Sequence, residues 1–238
     1  MLRRHRKVWL ATMHETRHQF HESLKDLERQ TLDGLDMVIE QLDRALESVS
    51  NQDVELAGTV VADDDRIDER YLGVHQVALL LLARQAPVAG DLRIVAALLH
   101  IIRCVERMGD QCANIAKLVR LSGYEAPKDK EILGTIERMG QLARLQASQA
   151  KDAFGARDVA LAQHLVGLDG EINRLNREIF NRAVDVGVDH GIREWAMFMI
   201  LVARCLERIT GNSIDIAEQT VFVVTGLFRE FADASQPA

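Results

Sequence analysis

Apolar positions recur along residues 13–50 at spacings of three and four: Leu24, Leu27, Leu32, Leu35, Val38, Ile39, Leu42, Leu46 and Val49. That period puts them on one stripe of a helix, so the stretch predicts a single long helix with one buried face. Asn51-Gln52-Asp53 interrupts the stripe, with Asp53 placed to cap the next helix start. Residues 54–84 predict the second helix. Pro87 closes it, because the residue before a proline avoids helical backbone. Residues 91–121 predict the third helix, and Gly123-Tyr124-Glu125-Ala126-Pro127 is the clearest linker in the chain.

The pattern then starts again. Residues 129–154 predict a fourth helix ending near Gly155, residues 158–186 a fifth and residues 192–228 a sixth, with residues 187–191 standing where the Pro87 turn stood. Asp158-Val159-Ala160-Leu161-Ala162 matches Asp53-Val54-Glu55-Leu56-Ala57 at a shift of 105 residues. Further on, Arg103-Cys104-Val105-Glu106-Arg107-Met108-Gly109-Asp110-Gln111-Cys112-Ala113-Asn114-Ile115-Ala116 returns as Arg204-Cys205-Leu206-Glu207-Arg208-Ile209-Thr210-Gly211-Asn212-Ser213-Ile214-Asp215-Ile216-Ala217, six of fourteen positions identical at a shift of 101. A repeat of this length sets the architecture: an all-α chain of two tandem antiparallel three-helix bundles. The first unit spans residues 13–122 and the second 128–228, with residues 1–12 an N-terminal extension and 229–238 a tail.

Composition narrows the function. Three prolines and two tyrosines in 238 residues argue against a sheet-rich fold, and a net charge of -7 argues against a nucleic-acid groove. No apolar run approaches the roughly 18 residues of a membrane span. Cys104, Cys112 and Cys205 form no CxxC pair, and read as reduced, small core residues of a cytosolic protein.

Chemistry concentrates in acidic pairs. Glu106 and Asp110 are four apart, hence on one helical face at the border of the apolar stripe; Asp64 and Asp68 repeat the spacing on the second helix. Two such pairs on adjacent helices can converge on hard cations such as Mg, Mn or Fe. The alternative is salt bridging, Arg103 to Glu106 and Arg107 to Asp110, both favourable helical spacings. His14-Glu15-Thr16-Arg17-His18 fits the HExxH zinc-protease pattern, but Arg17 lies inside it and no third ligand is marked, so it reads as an exposed helix start. His100 reads as a surface residue. No glycine-rich phosphate loop and no GxSxG nucleophile turn occur.

Leu81-Leu82-Ala83-Arg84-Gln85-Ala86-Pro87-Val88-Ala89-Gly90-Asp91-Leu92-Arg93, Glu106-Arg107-Met108-Gly109-Asp110 with Asn114-Ile115-Ala116, and Glu207-Arg208-Ile209 with Ile216-Ala217-Glu218 and Val223, Thr225 and Gly226 resemble the PhoU family. The likeness covers nearly all of residues 13–226. It implies a non-enzymatic cytoplasmic regulator, often a homodimer, that restrains phosphate uptake and the phosphate-starvation response. Its implied partners are the ATPase subunit of the phosphate ABC transporter and a sensor histidine kinase; it would reach the inner face of the membrane only through them, with no nucleic acid involved. Met13-His14-Glu15-Thr16-Arg17 resembles the family's usual N-terminus, which makes residues 1–12 an extension expected to be dispensable.

The resemblance also implies metal ions (Fe, Mn, Mg or Zn) on E(D)xxxD motifs. Carried over, these are Asp64/Asp68 and Glu106/Asp110 in the first half, and Asp169/Asn173 and Glu207/Gly211 in the second. With only Asp169 and Glu207 retained there, metal is expected mainly in the first half. The reading from another class is a ferritin-like, carboxylate-bridged metalloenzyme or metal store; that class uses Glu-x-x-His ligand pairs facing the core, and this chain has acidic pairs at the stripe's edge instead.

Overall fold

The breaks foreseen in the hydrophobic stripe are the turns of the fold. In the computed structural model, residues 2–228 are described apart from Ala86, Pro127 and Gly167; side chains are described from Arg17 onward, those of Gln85, Val166 and Asp169 excepted. Eight helices follow one another: α1 (Leu2–Asn51), α2 (Val54–Ala62), α3 (Asp64–Gln85), α4 (Ala89–Ser122), α5 (Lys130–Ala156), α6 (Val159–Val166), α7 (Asp169–Val186) and α8 (His190–Thr225). No strand occurs among the described residues.

Asp53 caps α2 as its position foretold, its carboxylate accepting from the Leu56 amide at 2.8 Å. Gln52 takes a left-handed backbone at the end of α1 and reaches across the bundle, its Nε2 donating to the carbonyls of Val119 at 3.2 Å and Gly123 at 2.8 Å. The end of the first rod is thereby tied to the end of α4. Gly123 stops α4 with φ 77°, a backbone that a side chain would strain.

The sequence pattern differs from the structure in three places. The second predicted helix is two, α2 and α3: Asp63 closes α2 through its N–H to the Thr59 carbonyl, and a new turn opens with Arg66 N–H donating to the Asp63 carbonyl. The fifth is likewise two, α6 and α7. Neither break carries a proline, and apolar residues resume in helical register beyond each, Val60 to Ile67 at the first and Leu165 to Leu168 to Ile172 at the second, so the period alone does not mark them. Lastly, α1 begins at Leu2, so residue 13 is not a break in the helix.

Each half packs alike. In the first, α4 lies against α1, α2 and α3; in the second, α8 lies against α5, α6 and α7. The most extensive interhelical contact in the molecule is α4 with α8, joined at the seam by α1 with α5. The buried residues of both halves therefore form one continuous core, from Leu27, Leu35 and Leu42 through Leu98, Ile102 and Met108 to Phe154, Leu206 and Ile209. Small residues line α5, with Ala143, Ala147, Ala150 and Ala153 fully buried. Ion pairs run along the outside of the α1–α5 seam: Arg144 Nε to Asp43 at 2.9 Å, Lys151 Nζ to Asp36 at 2.5 Å and Arg157 Nη2 to Glu28 at 2.8 Å.

α5 approaches α1 most tightly at Gly140, where an added Cβ would lie 2.5 Å from Leu46 Cδ1 and 3.1 Å from its Cγ. Gly140→Ala is therefore expected to destabilise the fold by about 1–3 kcal/mol, despite the better helix propensity of alanine. Gly134, on the same helix, has nothing within 4 Å of such a Cβ. Gly134→Ala is expected to stabilise by roughly 0.5–1 kcal/mol. Urea denaturation of the two variants side by side checks the sign at each.

Candidate functional site

The four carboxylates of the first half come together where α3 meets α4. Gly109 of α4 permits the approach: a Cβ there would stand 3.0 Å from Ile67 Cδ1 and 3.3 Å from Asp64 Oδ1. Asp64 and Glu106 are half-buried, Asp68 and Asp110 exposed, so the cluster sits at the rim of the core. Burial pushes the Asp64 carboxyl above the usual range, an amide hydrogen bond from Gln41 opposes the shift, and the charges of Asp110 and Asp68 add to it. Asp68 is raised by burial and then by Asp110 and Asp65. Glu106 is raised by burial, then by Asp110 and Asp68, against the pull of Arg103 and Arg107.

The i,i+3 pairs that would have neutralised this cluster do not close: among the described residues, neither Arg103–Glu106 nor Arg107–Asp110 comes within ion-pair distance. Gln41 supplies a further clue. Its Nε2 donates to Asp64 Oδ1 and to the Val60 carbonyl, both at 3.3 Å, while its Oε1 is buried with no partner. An orphaned carbonyl oxygen beside mutually repelling carboxylates is a donor set suited to a hard cation. The cluster is open rather than closed, since three of its oxygens do not fall within 4.8 Å of one another.

Each of the three raised groups holds its proton more tightly in the folded chain than in the unfolded one. Their contribution to stability is complete below the unfolded values and is lost as pH rises through the folded ones. At neutral pH the cluster is thus a net cost in the absence of a cation. Asp110 is the charge common to all three shifts. Asp110→Asn is expected to raise stability at pH 7 by up to about 1 kcal/mol, or roughly 2–4 °C in Tm, and to flatten the rise on mild acidification. Thermal unfolding of metal-free protein at pH 7 and at pH 5 checks it.

The second half is different. Glu207 is already held, by Arg204 Nη1 at 2.6 Å and by the Asn176 amide at 2.7 Å. The matching residue in the first half is Tyr71, which has no amide to give. Asp169 heads α7, and its side chain lies outside the described residues, as do those of His14 and Glu15 in the HExxH stretch; His18 is exposed.

Sequence reading missed a second constellation. His100 and Cys104, four apart on α4, meet Asp215 of α8, with one ligand atom from each lying within 4.8 Å of the others. It is the single group of three such side chains among the described residues. The i,i+4 spacing of His100 and Cys104 was available in the sequence; the third member depends on which helix lies alongside. All three cysteines are free and buried, and burial pushes the Cys104 thiol up to about 12, with the Asp215 charge adding to the shift.

The PhoU domain model matches the chain twice, over residues 32–119 and 136–220, once in each half. The chain belongs to the PhoU family. A relative from Mycobacterium leprae, "Phosphate-specific transport system accessory protein PhoU homolog 1", is 28% identical over 89% of this chain and 95% of its own length. A PhoU crystal structure from Pseudomonas aeruginosa superposes with a TM-score of 0.82 and 25% identity, covering 87% of this chain and all of that one. A phosphate transport system regulatory protein PhoU from Streptococcus pneumoniae gives 0.82 at 24% identity over 89% of this chain and all of its own, a likeness of fold. The cluster between α3 and α4 is built on the two acidic pairs singled out in the sequence. The His100–Cys104–Asp215 group draws on neither pair.

Proposed function

We propose that this chain is an accessory protein of a phosphate transport system. In this reading it is a negative regulator of phosphate uptake and of the phosphate-starvation response. It acts by contact rather than by chemistry, on the transporter's ATPase subunit and on a sensor histidine kinase, from the cytoplasmic face and as a homodimer. The observation that carries the reading is the PhoU domain matched in both halves, together with relatives named as transport accessory proteins. Among the described residues no helix is long and apolar enough to cross a membrane, in keeping with attachment through partners. A ferritin-like centre is less well supported, because the members of the acidic cluster are not Glu-x-x-His pairs. Deleting the gene is expected to raise phosphate-starvation gene expression in phosphate-replete cells. An unchanged response counts against the regulatory reading.

The same reading gives the acidic cluster a cation. Asp64, Asp68, Glu106 and Asp110 would hold it, with the Gln41 carbonyl oxygen as a neutral donor nearby; Fe, Mn, Mg and Zn are the candidates. When bound, such an ion supplies the positive charge that Arg103 and Arg107 do not bring into contact. Glu207, already ion-paired with Arg204 and hydrogen-bonded by the Asn176 amide, has less to gain. Metal analysis of purified protein is expected to show a larger loss from Glu106→Ala with Asp110→Ala than from Glu207→Ala. Equal losses overturn the preference for the first half.

A further inference from the structure

We propose that His100, Cys104 and Asp215 form a binding site for a single zinc-class divalent ion, bridging α4 of the first half to α8 of the second. The site is separate from the acidic cluster and does not depend on the transport reading.

The donor set is the first argument. Imidazole nitrogen, thiolate sulfur and carboxylate oxygen together select a borderline-soft ion such as zinc, whereas magnesium and calcium want oxygen alone. The spacing is the second. Around a tetrahedral zinc, with bonds of about 2.0–2.3 Å, neighbouring donor atoms stand roughly 3.3–3.8 Å apart. Donors already within 4.8 Å of one another need only small side-chain movements to reach that geometry. The two α4 donors are fixed by helical register, one turn apart on one face. The α8 donor is fixed by the most extensive helix contact in the molecule.

Access and burial also suit an ion. His100 is exposed and Asp215 half-buried, giving a route from solvent, while Cys104 is 1% exposed and provides an inner wall. The thiol sheds its proton as the sulfur–metal bond forms, so one proton is released for each ion bound. Three protein ligands leave a fourth position. Glu218, one helical turn beyond Asp215, also acts electrostatically on the Cys104 thiol and is the next carboxylate at hand.

The internal repeat supplies a control. At the shift of 101 residues, Cys104 corresponds to Cys205, but His100 corresponds to Leu201 and Asp215 to Asn114. The second copy keeps the cysteine and lacks the other two donors, so only one such site is expected per chain.

The test uses the full chain, reduced and stripped with a chelator, then titrated with cobalt(II) and with zinc(II) against a chromophoric competitor. The expected result is a thiolate-to-cobalt charge-transfer band that zinc abolishes. The band should persist in Cys205→Ala and in Glu106→Gln with Asp110→Asn, and be absent from Cys104→Ala. His100→Ala, at an exposed position where folding is not at stake, should weaken zinc binding at least about tenfold. Circular dichroism confirms that each variant is folded. The proposal is overturned if folded wild-type protein gives no thiolate band, if the band survives Cys104→Ala, or if His100→Ala binds zinc as tightly as the parent. Zinc bound as tightly by Cys104→Ala as by the parent, but lost with the Glu106 and Asp110 changes, would assign the ion to the acidic cluster and overturn it as well. None of these outcomes bears on the gene-deletion test, so the two readings fail separately.

Discussion

Phe154→Ala is expected to destabilise the fold by about 3–5 kcal/mol, the cost of emptying a large site that the surroundings cannot refill. Phe154 is fully buried near the C-terminal end of α5, where that helix meets α1 across the seam between the halves. The side chain also anchors its neighbour. The Arg157 guanidinium lies 4.4 Å above the ring, its Nη1 donates to the Phe154 carbonyl at 2.5 Å, and its Nη2 pairs with Glu28 of α1. Arg157 itself ends α5 in a left-handed backbone with φ 56°, a conformation a non-glycine residue keeps only when its contacts hold it there. Removing the ring takes away one of those contacts. Because the two halves share one core, the loss should appear as a shift of a single urea transition with unchanged slope. Phe154→Leu, which keeps most of the volume, should cost much less. Two separate transitions would show that the halves do not fold as one unit, and a Phe154→Ala variant as stable as the parent would show that the ring does not hold the seam.

The sharing of that core explains which features could be read from the chain. Helix starts and stops were legible because their causes are local: Asp53, Asp129 and Asp158 each accept from an amide two or three residues on, and Gly123 adopts the backbone that ends α4. The breaks at Asp63 and Leu168 were not legible, since neither carries a proline and apolar positions resume in register beyond each; at the first, the contact comes from another helix, Arg44 of α1 donating to Asp63 at 2.6 Å and to Thr59 at 2.8 Å. The acidic pairs were legible as pairs. Whether their arginines closed on them was not: Arg204 meets Glu207, while Arg103 at the same spacing does not meet Glu106. Glu207 is steadied by Asn176 from a neighbouring helix, and the first half has Tyr71 in that place. The spacing of two residues on one helix permits a contact, and a third residue on another helix decides it. The same logic hid the His100–Cys104–Asp215 group, whose third member is 111 residues from the second. It also hid the close approaches at Gly109 and Gly140, which a sequence shows only as glycines in helices.

Asp129→Ala is expected to cost about 2–3 kcal/mol, because one carboxylate performs two tasks. It caps α5, accepting from the amides of Glu131 at 3.1 Å and Ile132 at 3.0 Å. It also grips Arg182 near the end of α7, from Nη2 at 2.7 Å and from Nε at 3.3 Å, with its side chain only 12% exposed. The Arg182 hydrogen bond is the main reason its carboxyl lies below the ordinary value of 3.8; the α5 amides pull the same way, and burial opposes them. A carboxylate lowered in the folded state contributes stability that is present above 3.8 and is lost as pH falls through the folded value. Asp129→Asn separates the two tasks, since its amide oxygen still caps α5 while the charge is gone. The asparagine variant should therefore be less destabilised than the alanine variant at pH 7, and its deficit should shrink below pH 3.8 as the parent loses the same charge. The acidic cluster between α3 and α4 works in the opposite direction, gaining stability on acidification before Asp129 is reached. Metal-free parent protein should thus become more stable from pH 7 toward mild acid and then less stable below 3.8. In Asp129→Asn the first limb should remain and the second should be shallower. Thermal unfolding across this range decides it: a deficit that stays constant down to the lowest pH would show that the Arg182 contact contributes nothing.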